Sequence, residues 1–213
     1  IPSQSKQLFL DSGAYSAFTQ GIEIDIQEYI DFIKQHENLL TVYANLDDIT
    51  DPAKTWANQI QMQKAGLKPL PCYHFGEDIK WLKRYLRKGY DYIALGGMVP
   101  ISTRDLVGWL DEIFGQYLTG PDGLPIIKVH GFGLTSMKLI THYPWYSVDS
   151  TSWVMTGRMG GVYIPRRRDG GWEYGNASDK IDVSSRSPLK GNALQHIATI
   201  PDRLKADIMS YLE

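Results

Sequence analysis

Residues 40–48 read LTVYANLDD, a β-branched and aromatic run that stops on Asn45, Asp47 and Asp48. An apolar stretch this short predicts a buried strand with a polar end. The same shape recurs at 7–11 (QLFLD), 67–75 (LKPLPCYHF), 91–97 (DYIALGG), 126–133 (IIKVHGFG) and 145–150 (WYSVDS), with a weaker copy at 160–165 (GGVYIP). Helical apolar spacing lies between these runs, at 24–36, 52–66, 78–89, 103–118 and 134–144, and a last helix is predicted over 199–213. Strand and helix in alternation predict an α/β fold with parallel strands. An open doubly wound sheet gathers only two strand ends at its switch point, whereas a barrel gathers all of them at one mouth. Polar or glycine residues end nearly every strand, so the expectation is a TIM-like (β/α) barrel, incomplete or with a degenerate last strand.

The 213 residues, 43% hydrophobic and 22% charged, are enough for one sizeable core, and a single domain over 1–213 is expected. A long polar excursion interrupts the pattern at about 166–192. Lys and Arg total 22 against 24 Asp and Glu, so the net charge of -2 supplies no global field for a polyanion. Any nucleic-acid contact must be local. Arg166, Arg167 and Arg168, followed by Trp172 and Tyr174, are the one combination of charge and aromatics suited to it, and a solvated charged loop reads equally well. No apolar run approaches the roughly 20 residues that cross a bilayer, and the first residues lack the pattern of a signal peptide. With Cys72 as the single cysteine, a cytoplasmic protein without disulfides is expected.

Candidate chemistry sits at the strand ends. Asp11 lies in LDSGAYSAF (10–18), where it either faces a ligand or caps the next helix with Ser12. Asp47 and Asp48 point to opposite sides of their strand, and alternation leaves open which one faces the mouth. Asp149 has hydroxyl residues and Arg158 near it in sequence, a setting that can keep a carboxylate ionised. Gly96 and Gly97 offer bare backbone amides at the rim. His74 and His130 end strands, as ligand-facing donors or as satisfied buried groups. The five histidines are scattered, with His36, His142 and His196 in helical segments, and neither a metal nor a cofactor is expected.

In order and spacing, LDSGAYSAF, YANLDD (43–48), YIALGGM (92–98), VHGFG (129–133) and SVDSTSWVMTGRMGG (147–161) resemble the tRNA-guanine transglycosylase superfamily, including relatives that exchange 7-deazaguanine bases into DNA. The resemblance covers about residues 7–165. It implies an acid-base role for Asp11 and a base-stacking role for Tyr15, with Ala14 in place of the family's second glycine. It further implies that Asp47 reads the edge of guanine, that Gly96 and Gly97 donate amides to the base, and that Met98 fills the next apolar site. His130 and Gly131 would flank the base and Arg158 would match an arginine of the family. Asp149 would be the nucleophile at the sugar C1′. The tRNA enzymes carry a zinc held by three cysteines and a histidine, which this chain's single cysteine does not match. The expectation is therefore a compact, zinc-less, phage-like relative in the host cytoplasm, with DNA favoured over tRNA and free nucleosides also open.

Base exchange at C1′ passes through an oxocarbenium-like state, which needs one carboxylate under the sugar and a second carboxyl to shuttle the proton of the base. Two other readings use the same residues: a nucleoside or N-glycoside hydrolase, and a non-catalytic binder of a modified guanine.

Overall fold

A computed structural model describes residues 8–150, 156–158, 160–168, 171–187, 190–191 and 195–212; the side chains of 167–168, 172–178, 207 and 210–212 also lie outside the description. The contacts divide the chain into two compact units, Ile1–Asp149 and Ser150–Glu213. The sequence predicts one domain over 1–213, whereas residues of the second unit form a small core of their own, with Ile164, Ile181, Ile200 and Ile208 buried together.

In the first unit, β1 (Leu8–Leu10) pairs parallel with β2 (Leu40–Tyr43). The strands β3 (Cys72–His74), β4 (Tyr92–Gly96), β5 (Lys128–Gly131) and β6 (Ser147–Val148) follow as a parallel sheet in chain order. A parallel bridge between Ala44 and Leu70 continues the order from β2 to β3. Each strand is shorter than the run that predicts it, and His74, Gly96 and Gly131 remain in the ladder at the ends of β3, β4 and β5.

The helices form where spacing and caps coincide. In α2 (Ile26–Gln35) the first amides are held by Asp25, whose carboxylate accepts from Gln27 N and Glu28 N; α1 (Ala14–Gln20) precedes it. Asp51 does the same for α3 (Pro52–Lys64), which opens on a proline whose missing N–H costs nothing at the first position. Next comes α4 (Lys80–Lys88), which stops at Gly89 with a left-handed φ of 76°. The predicted helix over 103–118 is α5 (Thr103–Ile113) running into a π-helical turn, Phe114–Leu118. Last in this unit is α6 (Met137–His142). The main core packs Tyr73, Ile93, Leu95 and Val129 of the strands against Leu82, Leu110 and Leu139 of the helices. A second cluster joins Ile30 and Ile33 of α2 and Met62 of α3 to Tyr43 and Leu46.

One contact sets the shape of this sheet. Phe9 on β1 stacks on His130 of β5 with ring centroids 4.5 Å apart. Those strands are four steps apart in the order, which in a flat sheet would separate them by about 19 Å at ~4.8 Å per strand. The sheet is therefore strongly curled, and one face of β1 looks onto one face of β5.

In the second unit, β7 (Gly161–Arg168) and β8 (Gly171–Asp182) form an antiparallel hairpin, followed by a helix over Asp202–Leu212. Much of the predicted polar excursion at 166–192 is thus strand: Arg166–Arg168 pair with Gly171–Glu173, and Ser178–Asp182 pair with Gly161–Pro165, so backbone pairing holds these stretches whatever the polarity of their side chains. His196, read as helical from sequence, instead bridges to Asp182 and caps the short turn Ile197–Thr199. Among the described residues no helix is long and apolar enough to cross a membrane.

Candidate active site

The tertiary structure separates the two adjacent aspartates after β2. Asp48 turns to the loop, where its Oδ1 accepts from Thr50 N, Thr50 Oγ1 and Asp51 N and its Oδ2 lies 3.3 Å from Lys54 Nζ. Asp47 turns inward with its side chain only 11% exposed. Its Oδ1 accepts from Ser12 Oγ at 2.9 Å and its Oδ2 from His74 Nε2 at 2.7 Å. The other ring nitrogen of His74 donates to Glu77 Oε1 at 2.8 Å, so the buried imidazole lies between two carboxylates. Burial opposes a charge on His74, but the two carboxylates outweigh it and raise its pKa; the Cys72 sulfur lies 3.5 Å from Nε2, and burial pushes its thiol up to about 11.

Asp11 follows β1 directly, and its Oδ1 accepts from Gly13 N at 3.3 Å. Partial burial raises its pKa above 3.8; the Gly13 amide works against this, while the charges of Asp47 and Asp149 add to it. The N-cap residue of α1 is Gly13, with no side-chain cap, so neither Asp11 nor Ser12 serves as the cap residue itself. Ser12 is buried and accepts from Ala14 N at 3.2 Å while donating to Asp47. Tyr15 stands 47% exposed on α1.

Asp149 leaves β6 and accepts from Gly133 N at 2.7 Å. Glycine is required at 133 because φ there is +64° and that turn aims the amide. Burial would raise the pKa of Asp149, but His130 and the Gly133 amide overcome it and lower the value below 3.8. The sequence looks to Arg158 for this effect, yet the neighbours that lower the pKa are an imidazole and a backbone amide. His130 Nε2 lies 3.6 Å from Asp149 Oδ1, beyond hydrogen-bond length, and is a buried atom with no hydrogen-bond partner. Its Nδ1 contacts Ser147 Oγ at 2.7 Å, and Ser147 in turn contacts Tyr92 OH at 2.6 Å. A lone pair at Nε2 would face carboxylate oxygen, so the arrangement favours the tautomer with Nε2–H toward Asp149 and Ser147 donating to Nδ1.

Asp11, Asp47 and Asp149 therefore come together at the C-terminal ends of β1, β2 and β6, with His74 and His130 behind two of them. Gly96 is buried at the end of β4 and Gly97 follows it, exposed. Two other predicted site residues of the first unit are taken up by its packing. Met98 is 3% exposed within the main core. Gly131 makes room for an aromatic, since a Cβ there would lie 3.1 Å from the Trp145 ring. Arg158 is exposed on a helical turn of the second unit. Arg166 binds Asp179 across the hairpin, with Nη2 to Oδ1 at 2.9 Å, so its charge is matched within its own strand pair. The side chains of Arg167, Arg168, Trp172 and Tyr174 lie outside the described residues, as do residues 151–155.

A groove of about 580 Å³ opens beside Asp47, lined among others by Ala17, Phe18, Ile22, Asn58 and Lys54. That volume suits a nucleoside-sized ligand. Its lining takes in Asp47 but neither Asp11 nor Asp149. Sequence reasoning does not single out Glu77, Ser147, Tyr92 or Phe9. Glu77 lies three residues beyond His74 in a turn, where nothing local marks it, and the other three act only through contacts between distant strands.

Comparison with known proteins returns no match: no family model, no curated protein and no solved structure.

Proposed function

We propose that the protein is a base-exchanging transglycosylase on a TIM-like barrel, which replaces guanine by a 7-deazaguanine-type base in nucleic acid, with DNA favoured over tRNA. The observation that carries this reading is the pairing of opposed environments: Asp149 is held ionised and Asp11 is pushed toward its neutral form within one group of carboxylates. Titratable pairs driven apart in this way divide acid and base roles between them. The curled parallel sheet with its strands in chain order supports the barrel.

In this mechanism the Asp149 carboxylate attacks C1′ as the bond from C1′ to N9 of guanine breaks, and the bonding pair leaves with the base. Asp11, in its protonated form, gives its proton to the departing ring. The incoming base then returns a proton to Asp11 as its nitrogen attacks C1′ and releases Asp149, which restores both groups. Asp47 accepts from the ring N–H groups with the lone pairs that Ser12 and His74 leave unused, while the Gly97 amide serves the ring oxygen. Adenine lacks that donor pattern and would leave buried polar atoms unpaired, at about 1 to 3 kcal/mol each. Ser12 and His74 fix the carboxylate before the base arrives, which lowers the cost of ordering it.

The test is incubation of the protein with labelled guanine and a labelled 7-deazaguanine in the presence of DNA, tRNA or free nucleosides. Label entering DNA is the expected result. Release of guanine without incorporation would move the same residues to the hydrolase reading, and binding of base with neither outcome would leave a non-catalytic binder.

A further inference from the structure

We propose that Asp47, Cys72 and His74 form a binding site for a divalent transition-metal ion of the zinc class. This site goes beyond base exchange and does not depend on it. The three ligand atoms, a carboxylate oxygen, a thiol sulfur and an imidazole nitrogen, all lie within 4.8 Å of one another. They come from two neighbouring strand ends, Cys72 and His74 on β3 and Asp47 just past β2. An ion pair between His74 and its two carboxylates accounts for the imidazole but gives no role to the sulfur beside it.

The spacing fits a shared cation. With about 2.3 Å to sulfur and about 2.05 Å to nitrogen, two ligands on one tetrahedral zinc stand about 3.6 Å apart. Cys72 Sγ and His74 Nε2 are 3.5 Å apart. Asp47 Oδ2, now 2.7 Å from Nε2, would withdraw by roughly 0.6 Å to reach its own place on the tetrahedron. The outer groups are also those a metal site uses. Glu77 holds Nδ1 at 2.8 Å, which fixes the ring with Nε2 facing the site, and Ser12 holds Asp47 Oδ1, which leaves Oδ2 for the ion. Gly96 supplies the space: a Cβ there would lie 2.9 Å from Cys72 Sγ and 3.3 Å from His74 Nε2. On binding, the cation replaces the proton on Nε2 and the proton on Sγ, and the fourth position is left to water. The exchange leaves the net charge of the site unchanged, since one divalent ion takes the place of two protons, and Asp47 and Glu77 on either side of His74 supply the negative charge it faces.

Cobalt(II), a spectroscopic substitute for zinc, provides the probe. Titrated into the full chain, it is expected to give a thiolate-to-cobalt charge-transfer band that saturates at one equivalent and is displaced by zinc. Cys72→Ser, a change of nearly equal size, should abolish the band, and Glu77→Gln should weaken affinity about 10- to 100-fold through loss of the outer carboxylate. Asp48→Ala, which alters no ligand, should bind as wild type does. Absence of the band in the wild-type protein, or an equal band and affinity in Cys72→Ser, would overturn the site. Base exchange is measured separately with labelled guanine, so loss of either assignment leaves the other standing.

Discussion

At Asp11 and Asp149 one functional group meets two environments, and stability should record the difference. Asp11 holds its proton to higher pH when folded than the 3.8 of an unperturbed carboxyl. Between those values the unfolded chain binds fewer protons, so this group costs stability as pH rises. Asp149 is lowered, so its contribution is present above 3.8 and is lost as pH falls through its folded value. Asp11→Asn should therefore melt no lower than wild type at neutral pH while losing exchange. Asp149→Asn should lose exchange and melt lower at neutral pH, converging on wild type in acid. Thermal melts from about pH 3 to 8 read both signs, and identical profiles for the two variants would refute the opposed environments. In the proposed function Asp47 reads the base, so Asp47→Ala should weaken 7-deazaguanine binding about ten- to a hundredfold, as expected for a charge-assisted contact. Undiminished affinity in that variant, or equal binding of adenine by wild type, would leave the base-reading role without support.

Among the elements, the loop between β2 and α3 shows how one strand end serves two purposes. Asp47 continues inward to Ser12 and His74, while Asp48 and Asp51 hold the amides that turn the chain into α3. Asp48→Ala leaves the Thr50 and Asp51 amides without their acceptor and should cost about 1 kcal/mol, seen as a lower denaturation midpoint with base affinity unchanged. A loss of base affinity equal to that of Asp47→Ala would contradict the division of labour. The hairpin of β7 and β8 offers a contrast, because its Arg166–Asp179 pair is more than half exposed on both sides and adds little to stability.

For the whole molecule, the net charge of -2 bears directly on how nucleic acid could be held. Under the proposed function, nucleic acid would be held by local contacts, and with Arg166 already matched by Asp179 the basic run offers Arg167 and Arg168. Affinity for DNA should fall with salt on a log–log slope no steeper than about -3, the limit reached only if Arg166 gives up Asp179 and all three arginines release counterions. Titrations at several salt concentrations measure it, and a slope near -6 would point to a wider basic surface than residues 166–168.

The sequence by itself determined the alternation of strand and helix and the placing of carboxylates at strand ends. Both are local: apolar period, cap residues and glycine stops act within a few positions of chain. It marked six strands of the first unit and missed β8, where a polar composition masks a hairpin held by backbone hydrogen bonds. Tertiary structure alone decided which of Asp47 and Asp48 turns inward, because alternation gives two equal choices until His74, 27 residues away, supplies a partner. It alone set His130 against Asp149, Glu77 on His74 and Cys72 beside Nε2, and it sent Met98 to the core. These depend on the curl of the sheet and the contacts between strands, which bring together groups that no local pattern connects.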